Sequence, residues 1–157
     1  MEDYFAAPSC EKTDLAQGGA VKLAIARATN PLMRSVRKIV PGVKKSNGDR
    51  VAFIASYGNC EYFSKSVIEL VRQLSGRGYE VVLVRASDSV VLAEWPSAHI
   101  SVQPTIIYRK NTGYDFGSWA VGMQLNRKLL SRPYVLIAND SLVGPFGPMD
   151  AVLDSYE

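Results

Sequence analysis

The chain has one histidine, two cysteines and no long run of apolar residues. The lone histidine, His99, has no cysteine, aspartate or serine constellation nearby in sequence, so nothing supports a catalytic triad. Cys10 and Cys60 give neither a disulfide framework nor a metal-binding spacing, and they read as two reduced thiols of a cytosolic protein. No segment is long enough to span a bilayer. Glu2 and Asp3 stand where a secretory leader would be basic, and no apolar segment comes after them, which predicts a chain without a signal peptide. A glycine-rich fingerprint after the first buried run is missing too, which counts against NTPase and dehydrogenase chemistry and weakens a methyltransferase reading. The net charge of +3 over 157 residues is too small for a nucleic-acid binder.

What is present is ordinary soluble material, 47% hydrophobic and 21% charged, enough for one compact domain. Residues 1–49 read as a leader and linker. Val21, Ile25 and Leu32, then Val36, Ile39 and Val40, predict two short helices separated at Pro31. Arg34, Arg37 and Lys38 give the second a basic face, either solvated or resting on an anionic membrane surface. Pro41 to Asp49 has linker composition.

Residues 50–157 read as the folded domain. Val51–Ser56, Glu80–Arg85, Pro104–Tyr108 and Tyr134–Ala138 are short apolar runs, expected as buried strands. Helical spacing over Glu61–Leu74 joins the first two, and a short helix is expected over Val90–Trp95. A longer one, capped by Asp115 or a neighbour, is expected to reach about Leu130. A last helix starts near Met149, and the sequence stops inside it without a C-cap signal, so the domain is expected to be incomplete at its C-terminus. Strand and helix alternation predicts an α/β fold with a mostly parallel sheet flanked by helices. Ligands of such sheets bind beyond the carboxyl ends of the strands. That rule selects Ser56-Tyr57-Gly58, Ser87-Asp88, Arg109 to Asp115, and Asn139-Asp140-Ser141.

The turn after the third run has two readings. Arg109 and Lys110 with Asn111, Gly113 and Gly117 suit a diphosphate approached by backbone and a helix N-terminus. Equally, Asp115 is a helix cap, Trp119 is core and the two cations are solvated. Asp140 either binds Mg²⁺ or Mn²⁺ together with substrate phosphates or closes an Asx-turn. Asp88 either contacts a nucleotide or caps the short helix expected after it.

The segments Arg109 to Trp119 (RKNTGYDFGSW) and Tyr134 to Phe146 (YVLIANDSLVGPF) resemble the rhamnan synthesis protein F family of bacterial cell-surface polysaccharide glycosyltransferases. The likeness extends more loosely from Val51 to the end. It implies a GT-A-like (Rossmann-like) nucleotide-sugar-binding domain. Ser56, Tyr57 and Asp88 would then lie near base and ribose, Arg109, Asn111, Gly113 and Asp115 near the diphosphate, and Asn139, Asp140 and Ser141 near ribose and metal. It also implies a nucleotide-sugar donor such as dTDP-rhamnose and a lipid-linked or polysaccharide acceptor. The setting would be cytoplasmic, peripheral to the inner membrane face. Where the family pattern has Asp-x-Asp, this chain has Asn139-Asp140-Ser141, leaving Asp140 as the single carboxylate. Few residues come after it, and none of Asp150, Asp154 and Glu157 is placed as the general base of sugar transfer. The resemblance therefore implies donor binding with the catalytic residues unassigned, or, as the alternative, a non-catalytic module of a polysaccharide-synthesis complex.

Overall fold

The computed structural model describes residues 24, 30–43, 48–141 and 144–156. The expectations for the first twenty residues, including Cys10, and for Val21 and Ile25 lie outside them. The chain divides into two compact units, Met1–Arg34 and Ser35–Glu157. In the first, Pro31–Arg34 forms a single helical turn. Pro31 opens this turn, because a proline at the first helical position lacks only an N–H that would be unpaired anyway. Asn30 Oδ1 accepts from Leu32 N at 2.9 Å, as a capping side chain does.

The second unit carries a five-stranded sheet, with β1 Val36–Val40, β2 Arg50–Tyr57, β3 Glu80–Ala86, β4 Thr105–Arg109 and β5 Tyr134–Asn139. Their spatial order is β1-β4-β3-β2-β5. β1 runs antiparallel to β4, and every other pairing is parallel. The α/β class with a mostly parallel sheet is thus as expected. Val36–Val40 is not the second helix that its spacing suggested. Its β-branched residues pair along the edge of β4, and tertiary pairing overrides a weak helical period. The sheet unit accordingly begins at Ser35, inside the stretch expected to be leader. The basic helix face of Arg37 and Lys38 does not form. Arg37 Nη1 instead donates to the Ser89 carbonyl.

The helix α1, Lys65–Gly76, starts later than the expected Glu61 because Ser64 caps it, its Oγ accepting from Val67 N at 3.3 Å. Val67, Val71 and Leu74 form its buried stripe and pack on Ala52, Ile54, Val81, Leu83 and Ile106. Each such side chain contributes roughly 1.5–3 kcal/mol on burial. The opposite face is covered by α2, Tyr114–Leu125, which lies on β2 and β3. A Cβ at Gly122 would come within 3.0 Å of Val84 Cγ2 and 3.3 Å of Phe53 Cδ1, so this glycine sets how near the helix sits.

Four further expectations are corrected. Val90–Trp95 is irregular, and the 3-10 helix of that loop lies later, at Ser97–Val102. The long helix ends at Leu125, and a 3-10 turn, Arg127–Ser131, comes after it. Its N-cap is Gly113 at φ 76°, with no side-chain cap, so Asp115 is a first-turn residue and not the cap. β5 is not a buried strand: Val135 is 39% and Ile137 50% exposed, because β5 is the sheet edge and α2 lies over β2 and β3. A last short helix, α3 Asp150–Asp154, buries Leu153. Among the described residues no helix is long and apolar enough to cross a membrane.

Candidate functional site

The order β4-β3-β2-β5 places successive parallel strands on one side of β2 and the next on the other. The direction of winding reverses between β2 and β5. Beyond the carboxyl ends of two such strands the connections leave in opposite directions and a crevice opens, the usual ligand position of this architecture. Ser56 and Tyr57 end β2, and Asn139 with Asp140 ends β5.

The residues at the crevice are tied together. Asp140 N donates to the Ala55 carbonyl at 3.1 Å, which continues the sheet one residue past β5. The Asp140 carboxylate then turns back onto β2, where Oδ2 accepts from Ser56 Oγ at 2.6 Å and from Tyr57 N at 3.2 Å. Behind them lies Arg85 of β3, 5% exposed. Its Nη1 donates to Ser56 Oγ at 2.8 Å and lies 4.0 Å from Asp140 Oδ2. The guanidinium also sits over the Phe63 ring, 5.3 Å from the centroid. Burial lowers the Arg85 pKa, and the Asp140 charge opposes that shift. A Cβ at Gly58 would meet Nη2 at 2.3 Å, so glycine lets the chain pass this close without displacing the guanidinium.

A cavity of about 260 Å³ opens beside this network. Val67 and Leu70 of α1, Asn139 and Asp140, and Pro145 and Met149 line it. Its wall is mostly apolar, with Ser66, Asn139 and Asp140 as its polar residues, the usual composition of a small-molecule site. A larger groove, about 550 Å³, runs along the C-terminal part of α1 past Gln73, Arg77 and Phe146. It holds none of the strand-end residues, so the smaller cavity is the better candidate.

The β2 and β3 ends form a second polar cluster. Tyr57 OH donates to Asp88 Oδ2 at 2.9 Å. Asn59 fixes the loop below it: Oδ1 accepts from Asp88 N at 2.9 Å and Ser87 Oγ at 3.0 Å, while Nδ2 donates to Tyr57 OH at 3.2 Å. Asp88 is exposed and presents its carboxylate at the rim.

The β4–α2 turn is built differently. Arg109, 0% exposed, points to the α2 face, since it registers with Ala86 while Arg85 registers with Tyr108. Its Nε donates to Ser35 Oγ and its Nη1 to Ser118 Oγ, both at 3.0 Å, and Nη2 donates to the Thr112 carbonyl. Arg109 holds the turn from beneath. A Cβ at Gly117 would lie 2.2 Å from the Thr112 oxygen and 3.0 Å from Arg109 Nη1, so the protein's own turn fills that space. Asp115 reaches the crevice edge, its Oδ2 accepting from Asn139 Nδ2 at 2.8 Å. Trp119 is half-buried and donates to the Ala138 carbonyl at 2.8 Å. Asn111 and Ser141 lie at strand ends and make no side-chain hydrogen bond to another described residue.

Structure thus brings Ser56, Tyr57, Asn139 and Asp140 together, joins Asp88 and Asp115 to their rim, and keeps Arg109 under the neighbouring turn. Arg85 and Asn59 were missed. The signal for Arg85 was present: it shares the period of Val81 and Leu83, an arginine on the buried face of an apolar strand. As a divalent-cation site the crevice fits poorly. Asp140 brings one carboxylate, with one oxygen already accepting two donors and a guanidinium at 4.0 Å. Among the described residues no three His, Cys, Asp or Glu side chains cluster to hold a metal ion. Cys60 is exposed and unpaired.

No protein-family model matches the sequence, and no solved structure matches the chain. Over 114 residues, 71% of its length, it is 31% identical to the virulence protein VirA of Vibrio anguillarum strain ATCC 68554 / 775. A second VirA sequence from Vibrio anguillarum matches to the same extent. The matched stretch is 36% of VirA, so the chain spans about a third of the length of the curated relatives it resembles.

Proposed function

We propose that the crevice between the β2 and β5 ends binds a nucleotide-sugar, and that the chain is the donor-binding part of a glycosyltransferase of the rhamnan-synthesis type. The observation that carries this is the meeting of Ser56, Tyr57, Asn139 and Asp140 beside a cavity at the point where the strand order reverses. Asp140 and Asn139 offer acceptors and an amide suited to sugar or ribose hydroxyls, and the apolar wall suits a flat base. A lipid-linked or polysaccharide acceptor at the inner membrane face completes the proposal. The name of the VirA relatives speaks of virulence and adds no chemistry.

Calorimetric titration with dTDP-rhamnose tests this reading. Saturable binding, weakened by Asp140→Ala, is the expected result. A folded protein that takes up no donor would sink it. The second reading, a non-catalytic module, is favoured by one detail: Asp140 Oδ2 latches β5 to β2 and so has a structural use of its own. Sugar release from donor, with and without acceptor, separates the two readings.

A further inference from the structure

Arg85 is a buried cation with an incomplete set of partners. A guanidinium carries five N–H donors in a fixed fork. Among the described residues the one acceptor at hydrogen-bond distance is Ser56 Oγ, and Asp140 Oδ2 stands off at 4.0 Å. Its Nε is buried and has no acceptor among the described residues. Taking a guanidinium out of water costs several kcal/mol, which only close pairing and satisfied donors offset. Buried polar groups are nearly always paired, so an unpaired one calls for a ligand or a use.

The surroundings indicate which ligand. Ser56 Oγ–H and Tyr57 N–H donate to one carboxylate oxygen of Asp140, and Arg85 Nη1, which donates to Ser56 Oγ, lies 4.0 Å from the same oxygen. That is a set of donors around an oxyanion, and Asp140 lines the cavity. The first turn of α1 borders the same cavity, and its dipole adds to the preference for negative charge. Arg109, the other buried arginine at this sheet edge, is engaged by Ser35, Ser118 and Thr112 on the opposite face. At Gly58 the Arg85 guanidinium itself fills the space a side chain would take, so the glycine fixes where the guanidinium lies.

We propose that Arg85 is an oxyanion anchor of the crevice, pairing with a phosphate-class group of the ligand beside Asp140. The identity of that group as the diphosphate of a sugar nucleotide rests on the donor reading above; the anchor itself does not. Arg85 then supplies the positive charge that one carboxylate cannot recruit by holding a cation.

The test uses the intact chain and three probes: inorganic pyrophosphate, dTDP-rhamnose, and thymidine as the uncharged control. Calorimetry gives affinities for the wild type, Arg85→Gln, Arg85→Lys and Asp140→Asn, and an NMR titration follows the Arg85 Nε–H signal. Arg85→Gln is expected to weaken pyrophosphate and donor about tenfold or more while leaving thymidine unchanged, and Arg85→Lys to fall between. Asp140→Asn is expected to tighten pyrophosphate several-fold, by removing a like charge. The Nε–H signal should shift as pyrophosphate saturates. Failure of pyrophosphate to bind the wild type, or equal affinity in Arg85→Gln, overturns the anchor. Should Arg85→Gln not fold, an unmoved Nε–H signal together with unchanged affinity in Asp140→Asn overturns it. Donor that binds Arg85→Gln as well as wild type removes the anchor and leaves the donor reading standing. Arg85-dependent binding of pyrophosphate without any uptake of donor does the reverse.

Discussion

Arg85 and Arg109 end neighbouring strands, β3 and β4, and both are buried. They face opposite sides of the sheet. Arg109 directs each of its three nitrogens to a hydroxyl or carbonyl of the chain, and those acceptors knit β4, the turn and α2. Among the described residues Arg85 has Ser56, a distant Asp140 and an aromatic face, with Nε unpaired. In both, burial lowers the pKa, yet only Arg85 has a carboxylate to oppose that shift. The pair teaches that burial of a charge does not by itself mark a site. A cation whose every nitrogen reaches an acceptor of the fold serves the fold, whereas one with a buried nitrogen left without an acceptor calls for a further use.

Four substitutions break or sharpen this contrast in urea unfolding. Arg109→Met has the largest expected effect, a loss of about 3 kcal/mol or more, because it removes together the ties from β4 to the buried Ser35 and Ser118 hydroxyls and to the Thr112 carbonyl. A loss below about 1 kcal/mol would erase the distinction between the two arginines. Gly117→Ala comes next, at about 2–3 kcal/mol, since its Cβ would press on the Thr112 oxygen and backbone must shift. Gly58→Ala is expected to cost about 1 kcal/mol, because the atom it meets is the end of a side chain that can swing away. Displacing Arg85 in this way should weaken pyrophosphate binding more than it weakens the fold. Arg85→Met has the smallest effect, within about 1 kcal/mol of wild type in either direction. Partly exposed Asp140 can rehydrate, and an apolar chain suits the Phe63 face.

The parallel part of the sheet was legible because β2, β3 and β4 are short apolar runs buried on both faces, which is how central parallel strands read. β1 was not, since Val36, Ile39 and Val40 fit a helical period as well as a strand, and only the edge of β4 decides between them. β5 was found but misjudged as buried, because an edge strand and a central one look alike when both are rich in valine and isoleucine. For the candidate site, the strand-end rule located Ser56, Tyr57, Asn139 and Asp140. Distances across the fold, such as Ser56 to Asp140, cannot be read from local spacing. Arg109 drew attention through its place in a recognisable string, and whether it faces outward or inward depends on Ser35 and Ser118, far and near in sequence.

The antiparallel strand at the start of the sheet bears on how the molecule can be shortened. Composition invites a cut before Arg50, where linker-like residues give way to an apolar run. Such a cut would strip β1 from β4, exposing its edge to other chains, and would take away Ser35, whose hydroxyl receives Arg109 and whose carbonyl receives Lys110 N. The smallest piece that keeps the sheet and its turn intact therefore begins at Ser35, and a fragment begun at Arg50 should self-associate.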